Sequence, residues 1–295
     1  MERCCCPNNI ESLDIRRCES LTHVSCPNNS ESLCLKHCSS LTHVSFATAA
    51  TAGGGGGGQK LKSLDISGCE KLLEKINNAS MPRLESIDIS DWTNLKSIME
   101  SFPDIQLPVL TSLTIEECNS MESLSALQMT NLTSLKDLKI RKCKGIDASC
   151  HGGVWPPNLC SLEIGRLKTP MSEWGPQNFP SSLVDLSLYH EPDVRNFSQL
   201  SHLFPSSLTH LWIDNFERLE SLSMGLQYLT SLQHLTIWNC PKLKHLPKQL
   251  LPSLLSLGIR NCPKLRKRCE GRGSHYYPLI SHIPKIDIYP RYFFI

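Results

Sequence analysis

A chain of 295 residues with 40% hydrophobic content is long enough for one large domain or two ordinary ones. Thirty basic against 28 acidic residues leave a net charge of +2, which gives no overall attraction for nucleic acid or an anionic membrane. No 18-residue apolar run is present, and the opening MERCCCPNNIESLDI lacks the apolar core of a signal peptide, so membrane insertion and export are not expected.

Residues 1–45 hold two short units, CPNNIESLDIRRCESLTHVS at 6–25 and CPNNSESLCLKHCSSLTHVS at 26–45. They agree at 14 of 20 positions and read as a tandem duplication at the short limit for leucine-rich repeats. Cys4, Cys5 and Cys6 are adjacent and cannot supply C-x-x-C spacing, so no metal is expected there. Residues 46–60, FATAATAGGGGGGQK, form a bridge whose glycine run Gly53–Gly58 predicts a flexible insertion. It is not a phosphate loop, because Gln59-Lys60-Leu61 stands where G-K-S/T is required.

Residues 61–265 continue the repeats in longer units. Their central residues are Leu64, Ile87, Leu113, Leu138, Leu162, Leu186, Leu211, Leu235 and Leu257, spaced 22 to 26 residues apart. The pattern is clearest in LQHLTIWNCPKLKHLP at 232–247, which reads L-x-x-L-x-I-x-x-C-x-x-L-x-x-L. Only the L-x-I part alternates as a strand does, and the other apolar residues fit a chain that keeps turning back into one narrow core. The predicted fold is a leucine-rich repeat solenoid: a curved right-handed α/β-type horseshoe with a parallel concave sheet of about eleven strands. Prolines such as Pro82, Pro108, Pro180, Pro205, Pro247 and Pro252 predict mostly irregular convex arms.

Seven of the fifteen cysteines, Cys18, Cys38, Cys69, Cys118, Cys143, Cys240 and Cys262, stand five residues after a central apolar residue. They are expected to be reduced and packed in a column rather than cross-linked. The four N-x-S/T sequons at Asn28, Asn78, Asn131 and Asn196 read as chance in a chain without an export signal. Residues 266–295 form a basic cap and tail. Arg260, Lys264, Arg266, Lys267, Arg268 and Arg272 face only Glu270, a local +5, and Ile286 with Ile288 predicts a closing strand.

No motif for chemistry stands out: there is no G-x-S-x-G, H-E-x-x-H, H-x-E with paired cysteines or nucleotide fingerprint. No catalytic residue, metal or cofactor is expected, and the chain is not expected to be an enzyme. Binding is expected on the sheet, where the residue inside each L-x-I and the one after it point away from the core. Early units place Asp65, Ser67, Asp88 and Ser90 there, whereas later ones bring Tyr189, Trp212 and Trp238, surrounded by His210, His234 and Arg260. These six are the candidate protein-binding residues. Aromatics on a sheet either pack on one another or anchor a partner, and both readings stay open here.

The repeats LTHLWIDNFERLESL at 208–222 and LQHLTIWNCPKLKHLP at 232–247 resemble those of plant intracellular disease resistance proteins of the coiled-coil/NB-ARC/leucine-rich repeat class. The ending is more specific: Leu265, Arg268, Cys269, Gly273, Tyr276, Ile280, His282, Ile283, Pro284, Ile286 and Ile288 match that family's closing pattern, although its acidic-Trp pair is replaced around His275–Tyr276. The resemblance covers about Ile10 to Ile288. It implies a module that senses a pathogen effector or a guarded host protein, in the cytoplasm or the nucleus. It also implies that the module restrains an NB-ARC nucleotide switch in cis. No residue of this sequence carries that switch, so the resemblance implies a fragment of a longer receptor. The alternatives are an F-box-type substrate adaptor of a ubiquitin ligase, whose repeats are more uniform and carry helices, and a generic protein-binding solenoid.

Overall fold

The structure, a computed structural model, describes residues 2–5, 10–46, 58–72, 81–95, 107–122, 129–147, 155–177, 179–222 and 225–289. The expected flexible run Gly53–Gly58 therefore lies, except for Gly58, outside the described residues. The chain divides into two compact units, residues 1–148 with 154–159 and residues 149–153 with 160–295.

In the first unit the strands are β1 (Glu2–Cys5), β2 (Ser12–Arg16), β3 (Leu21–Cys26), β4 (Ser32–Lys36), β5 (His43–Phe46), β6 (Ser63–Ser67), β7 (Ser86–Ser90), β8 (Ser112–Glu116) and β9 (Asp137–Arg141). Strands β2, β4, β6, β7, β8 and β9 pair in that order, all parallel and in register. The second unit repeats the plan with β10 (Ser161–Gly165), β11 (Asp185–Tyr189), β12 (His210–Asp214), β13 (His234–Trp238), β14 (Ser256–Arg260) and β15 (Lys285–Tyr289). Each unit is thus a parallel β-solenoid to whose main ladder each repeat contributes one short strand.

The L-x-I motif explains the strands. From β4 to β14 both apolar residues are buried, while Ile15, Ile286 and Ile288 on the outermost strands are partly open. Like residues meet across the ladder, as in Leu211↔Leu235 and Ile213↔Ile237. Burying one such side chain stabilises by roughly 1.5–3 kcal/mol, so a register slip in a repeat would forfeit two of these terms.

The C-x-x-L spacing is one turn. The Leu41, Leu72, Ile146 and Leu243 N–H groups donate to the carbonyls of Cys38, Cys69, Cys143 and Cys240 at 3.0–3.3 Å, which brings Cys and Leu into the core together. Six of the seven aligned cysteines are buried and all seven are free thiols; Cys18, in the first repeat, is only partly covered. The thiols do more than fill space. Each donates to the carbonyl two residues back, with Sγ···O from 3.2 Å in Cys143, Cys240 and Cys262 to 3.6 Å in Cys18 and Cys38.

The residue after each strand turns the chain out of the sheet in a left-handed conformation: Arg17, His37, Gly68, Asp91, Glu117, Lys142, Arg166, His190, Asn215, Asn239 and Asn261 all have φ between 50° and 61°. For a residue with a Cβ this costs roughly 1–2 kcal/mol. A backbone bond offsets it: the His190, Asn215 and Asn239 N–H groups donate to the carbonyls of Asp214, Trp238 and Arg260 in the next strand.

The return arms are largely non-helical, with short 3-10 turns at Met129–Asn131, Met171–Glu173, Phe197–Leu203 and Leu251–Ser253. The arms of the two shortest repeats depart from the expected turns. Their LTHVS segments form β3 and β5, which with β1 make a second parallel sheet of three strands. A 20-residue repeat leaves room for little else, and the β-branched Thr and Val suit a strand. The end of the second unit is closed by α1 (Pro263–Cys269), α2 (Tyr277–Ile280) and β15, and Leu265, Cys269, Tyr276, Ile280 and Ile283 of this closing stretch are buried. No helix among the described residues is long and apolar enough to cross a membrane.

Candidate functional site

The six candidate residues lie on the sheet of the second unit, where register sorts them into rows. The first row runs Asp185, His210, His234, Ser256 and Lys285; the middle row runs Ser187, Trp212, Thr236, Gly258 and Asp287. The third runs Tyr189, Asp214, Trp238, Arg260 and Tyr289. All three rows leave the core because the pleat sends alternate side chains to opposite faces.

Two aromatic pairs form across the β12–β13 boundary. His210 and His234 stack with ring centroids 4.1 Å apart and planes 10° from parallel. The Trp212 and Trp238 rings, diagonal neighbours in adjacent rows, approach to 6.1 Å at 49°. This contact is self-packing, yet Trp212 keeps 37% of its surface open and is the large exposed apolar residue of the sheet centre. Gly258, next in the middle row, is buried, and a Cβ there would meet the Thr236 side chain at 3.3 Å.

The other two candidates are placed differently. Tyr189 is separated from Trp238 by Asp214 in its row, and its ring contact is with His190 at 6.0 Å. Arg260 borders Trp238 in register, but its guanidinium lies 5.9 Å from the Tyr289 ring centroid and 4.0 Å from the Asp287 carboxylate. The structure therefore joins His210, Trp212, His234 and Trp238 into one cluster, with Tyr189 on one flank and Arg260 on the other. Tyr289, 40% exposed, belongs to the same surface and was missed. The signal was present: KIDIY repeats the L-x-I-x spacing and puts Tyr289 at the position of Trp238.

Electrostatics around the cluster are mixed. Burial, and then the neighbouring His210 and Lys285, hold the His234 imidazole below its usual pKa, against the pull of Asp185. Both acids and bases rim the aromatic centre: Asp185, Asp214 and Asp287 with Lys285 and Arg260.

Beside the sheet, at the left-handed turns, an open groove of about 730 Å³ is lined by Asn215, Glu217, Arg218, Asn239, Pro241, Lys242, Asn261 and Pro263. The Asn261 amide donates to the Asn239 side-chain oxygen at 2.5 Å, and the Asn239 amide donates to the Asp214 carboxylate at 3.2 Å. These bonds tie the groove wall to the third row. Among the described residues no group of three or more His, Cys, Asp or Glu is arranged to hold a metal ion.

No family model matches the chain. Two probable disease resistance proteins of Arabidopsis thaliana, RF45 and RDL5, are each 28% identical over 220 residues, which is 74% of this chain and 16% of theirs. The TMV resistance protein N of Nicotiana glutinosa is 22% identical over 190 residues, 64% of this chain and 14% of its own length. The chain thus spans 16% or less of the length of these curated relatives. Among solved structures, an internalin (inlF) from Listeria monocytogenes matches 96% of this chain and 88% of its own, with a TM-score of 0.43 and 14% identity.

Proposed function

We propose that this chain is a non-catalytic protein-binding solenoid module, and that the sheet of its second unit is the recognition surface. One observation carries the reading: Trp212 stands open at the centre of the sheet, braced by Trp238 and ringed by polar side chains. Large aromatics in such a setting are the residues that dominate the energetics of protein interfaces. The finer reading is a recognition module of a plant disease resistance receptor, which senses an effector or a guarded host protein and restrains an NB-ARC switch in the full-length receptor. Its support is the weak kinship with disease resistance proteins together with the closing pattern from Leu265 to Ile288.

The test is site-specific photocrosslinking. A benzoylphenylalanine at position 212 should capture a discrete protein partner in plant cells. The same probe at Tyr228, which is 75% exposed in a return arm, should not. Identical products from both positions, or none from 212, would remove the support for this surface.

A further inference from the structure

Tyr276 is the hub of the closing turn of the second unit. It is 1% exposed, and its hydroxyl accepts the Leu246 backbone N–H at 3.0 Å. Its own N–H donates to the Arg268 carbonyl at 2.8 Å. These bonds fasten three cationic or titratable side chains to one place: Arg268, His275 beside Tyr276, and His245 beside Leu246. The Arg268 guanidinium carbon lies 5.6 Å from the Tyr276 ring centroid, and the His275 ring meets that ring edge-on at 4.8 Å. Burial, then the charges of Arg268, Lys244 and His275, hold the His245 imidazole below its usual pKa, with Glu220 acting the other way. Glu220 is itself engaged by Lys244 at 3.4 Å.

Such a cluster lacks its counter-charge. Among the described residues no carboxylate pairs with Arg268, and its Nε is buried without an acceptor. The Ser274 hydroxyl, in the same turn, is also buried and without a partner. An orphaned buried donor loses its water without gaining a protein partner, and here two occur within six residues of sequence. Neighbouring Arg266 shows the usual solution, a 2.6 Å bond to Glu270. The intervening turn borders open space, since a Cβ at Gly271 or Gly273 would meet nothing within 4 Å.

We propose that Arg268, Ser274, His275 and His245 form a site for a phosphate dianion, either free or as a phosphate monoester. The guanidinium supplies the two-pronged donor that suits phosphate oxygens, Ser274 supplies a hydroxyl, and the imidazoles supply ring N–H donors. Lys244 adds longer-range attraction. This site lies on the arms and cap rather than on the sheet, so it stands apart from the proposed recognition surface.

The experiment is calorimetric titration of the full chain at constant ionic strength with inorganic phosphate, phosphoserine and succinate at pH 8, where both phosphate ligands are dianions. Saturable binding of phosphate or phosphoserine, at least tenfold tighter than that of succinate, is expected. Tighter binding of phosphoserine assigns the site to a monoester; equal binding assigns it to free phosphate. Arg268→Lys keeps a cation but loses the fork and should weaken binding about tenfold or more. His275→Gln, on an exposed side chain that leaves the core intact, should weaken binding about threefold or more. Absence of saturable binding in the unaltered chain, equal affinity for succinate, or unaltered affinity in both variants would overturn the proposal.

Discussion

His210 and His234 occupy paired positions on β12 and β13, and their rings lie 4.1 Å apart and within 10° of parallel. Two imidazoles this close cannot both take a proton without repulsion, and Lys285 in the same row adds to the penalty. Asp185, on the other side of His210, opposes it only in part.

A pH dependence follows. His234 has a folded pKa below the ordinary 6.5, so the unfolded chain binds more protons as pH falls below that value. The stability contribution of the neutral His234 is complete above pH 6.5 and is lost as pH falls through the unfolded and then the folded value. Replacing His234 with Phe should keep the stack and flatten part of the decline in unfolding temperature between pH 7 and pH 5. A variant that declines as steeply as the parent would show that His234 does not titrate as described.

Glu191 predicts the opposite trend. It occupies the position that Cys holds in other repeats, is 3% exposed, and its Oε2 accepts the Met171 backbone N–H at 3.0 Å. Burial, only partly offset by that bond, pushes its pKa from 4.5 up to about 7. The folded state therefore favours the protonated acid, and stability falls as pH rises from 4.5 through about 7. Glu191→Gln retains an acceptor for Met171 and removes the charge. It should stabilise the protein at pH 8 by up to about 3 kcal/mol and change little at pH 4.5. Denaturant unfolding of the two proteins at both pH values measures this, and destabilisation at pH 8 would contradict it.

The aligned thiols should be inert. Burial pushes Cys118 up to about 12 and Cys143 to about 11, and it holds Cys240 well above the usual thiol range. Labelling of these three should be slow in the folded chain and fast in denaturant; rapid labelling under native conditions would refute their burial. Cys240→Ala should cost about 1–2 kcal/mol through lost packing. Cys240→Ser should cost no more, because its hydroxyl inherits the Trp238 carbonyl that the thiol reaches at 3.2 Å.

How far the sequence could be read depends on what each feature needs. The strands, their parallel register and the buried columns were legible because L-x-I and C-x-x-L are local patterns fixed by pleat and turn geometry. Trp212 and Trp238 were legible as outward residues for the same reason. The left-handed positions were not, because Arg17, Glu117 and His190 carry no glycine signature, and the bond that sustains each one comes from a neighbouring repeat. The stacking of His210 on His234 depends on side-chain rotamers that repetition alone does not dictate. The buried role of Glu191 depends on the Met171 N–H, which reaches it from twenty residues away.

The recognition surface is the central claim, and alanine replacement tests it by separating binding from folding. Trp212 and Trp238 touch each other at 6.1 Å, so each truncation should lower the unfolding temperature somewhat through the lost contact. The account requires more than that. With the partner captured from position 212, Trp212→Ala should lose on the order of 2 kcal/mol of binding energy, about thirtyfold in Kd, and Trp238→Ala a comparable amount. Asp65→Ala, on the sheet of the first unit, should bind as the parent does. If both Trp variants bind normally while Asp65→Ala does not, the surface is assigned to the wrong unit and the aromatic cluster serves only to pack the sheet.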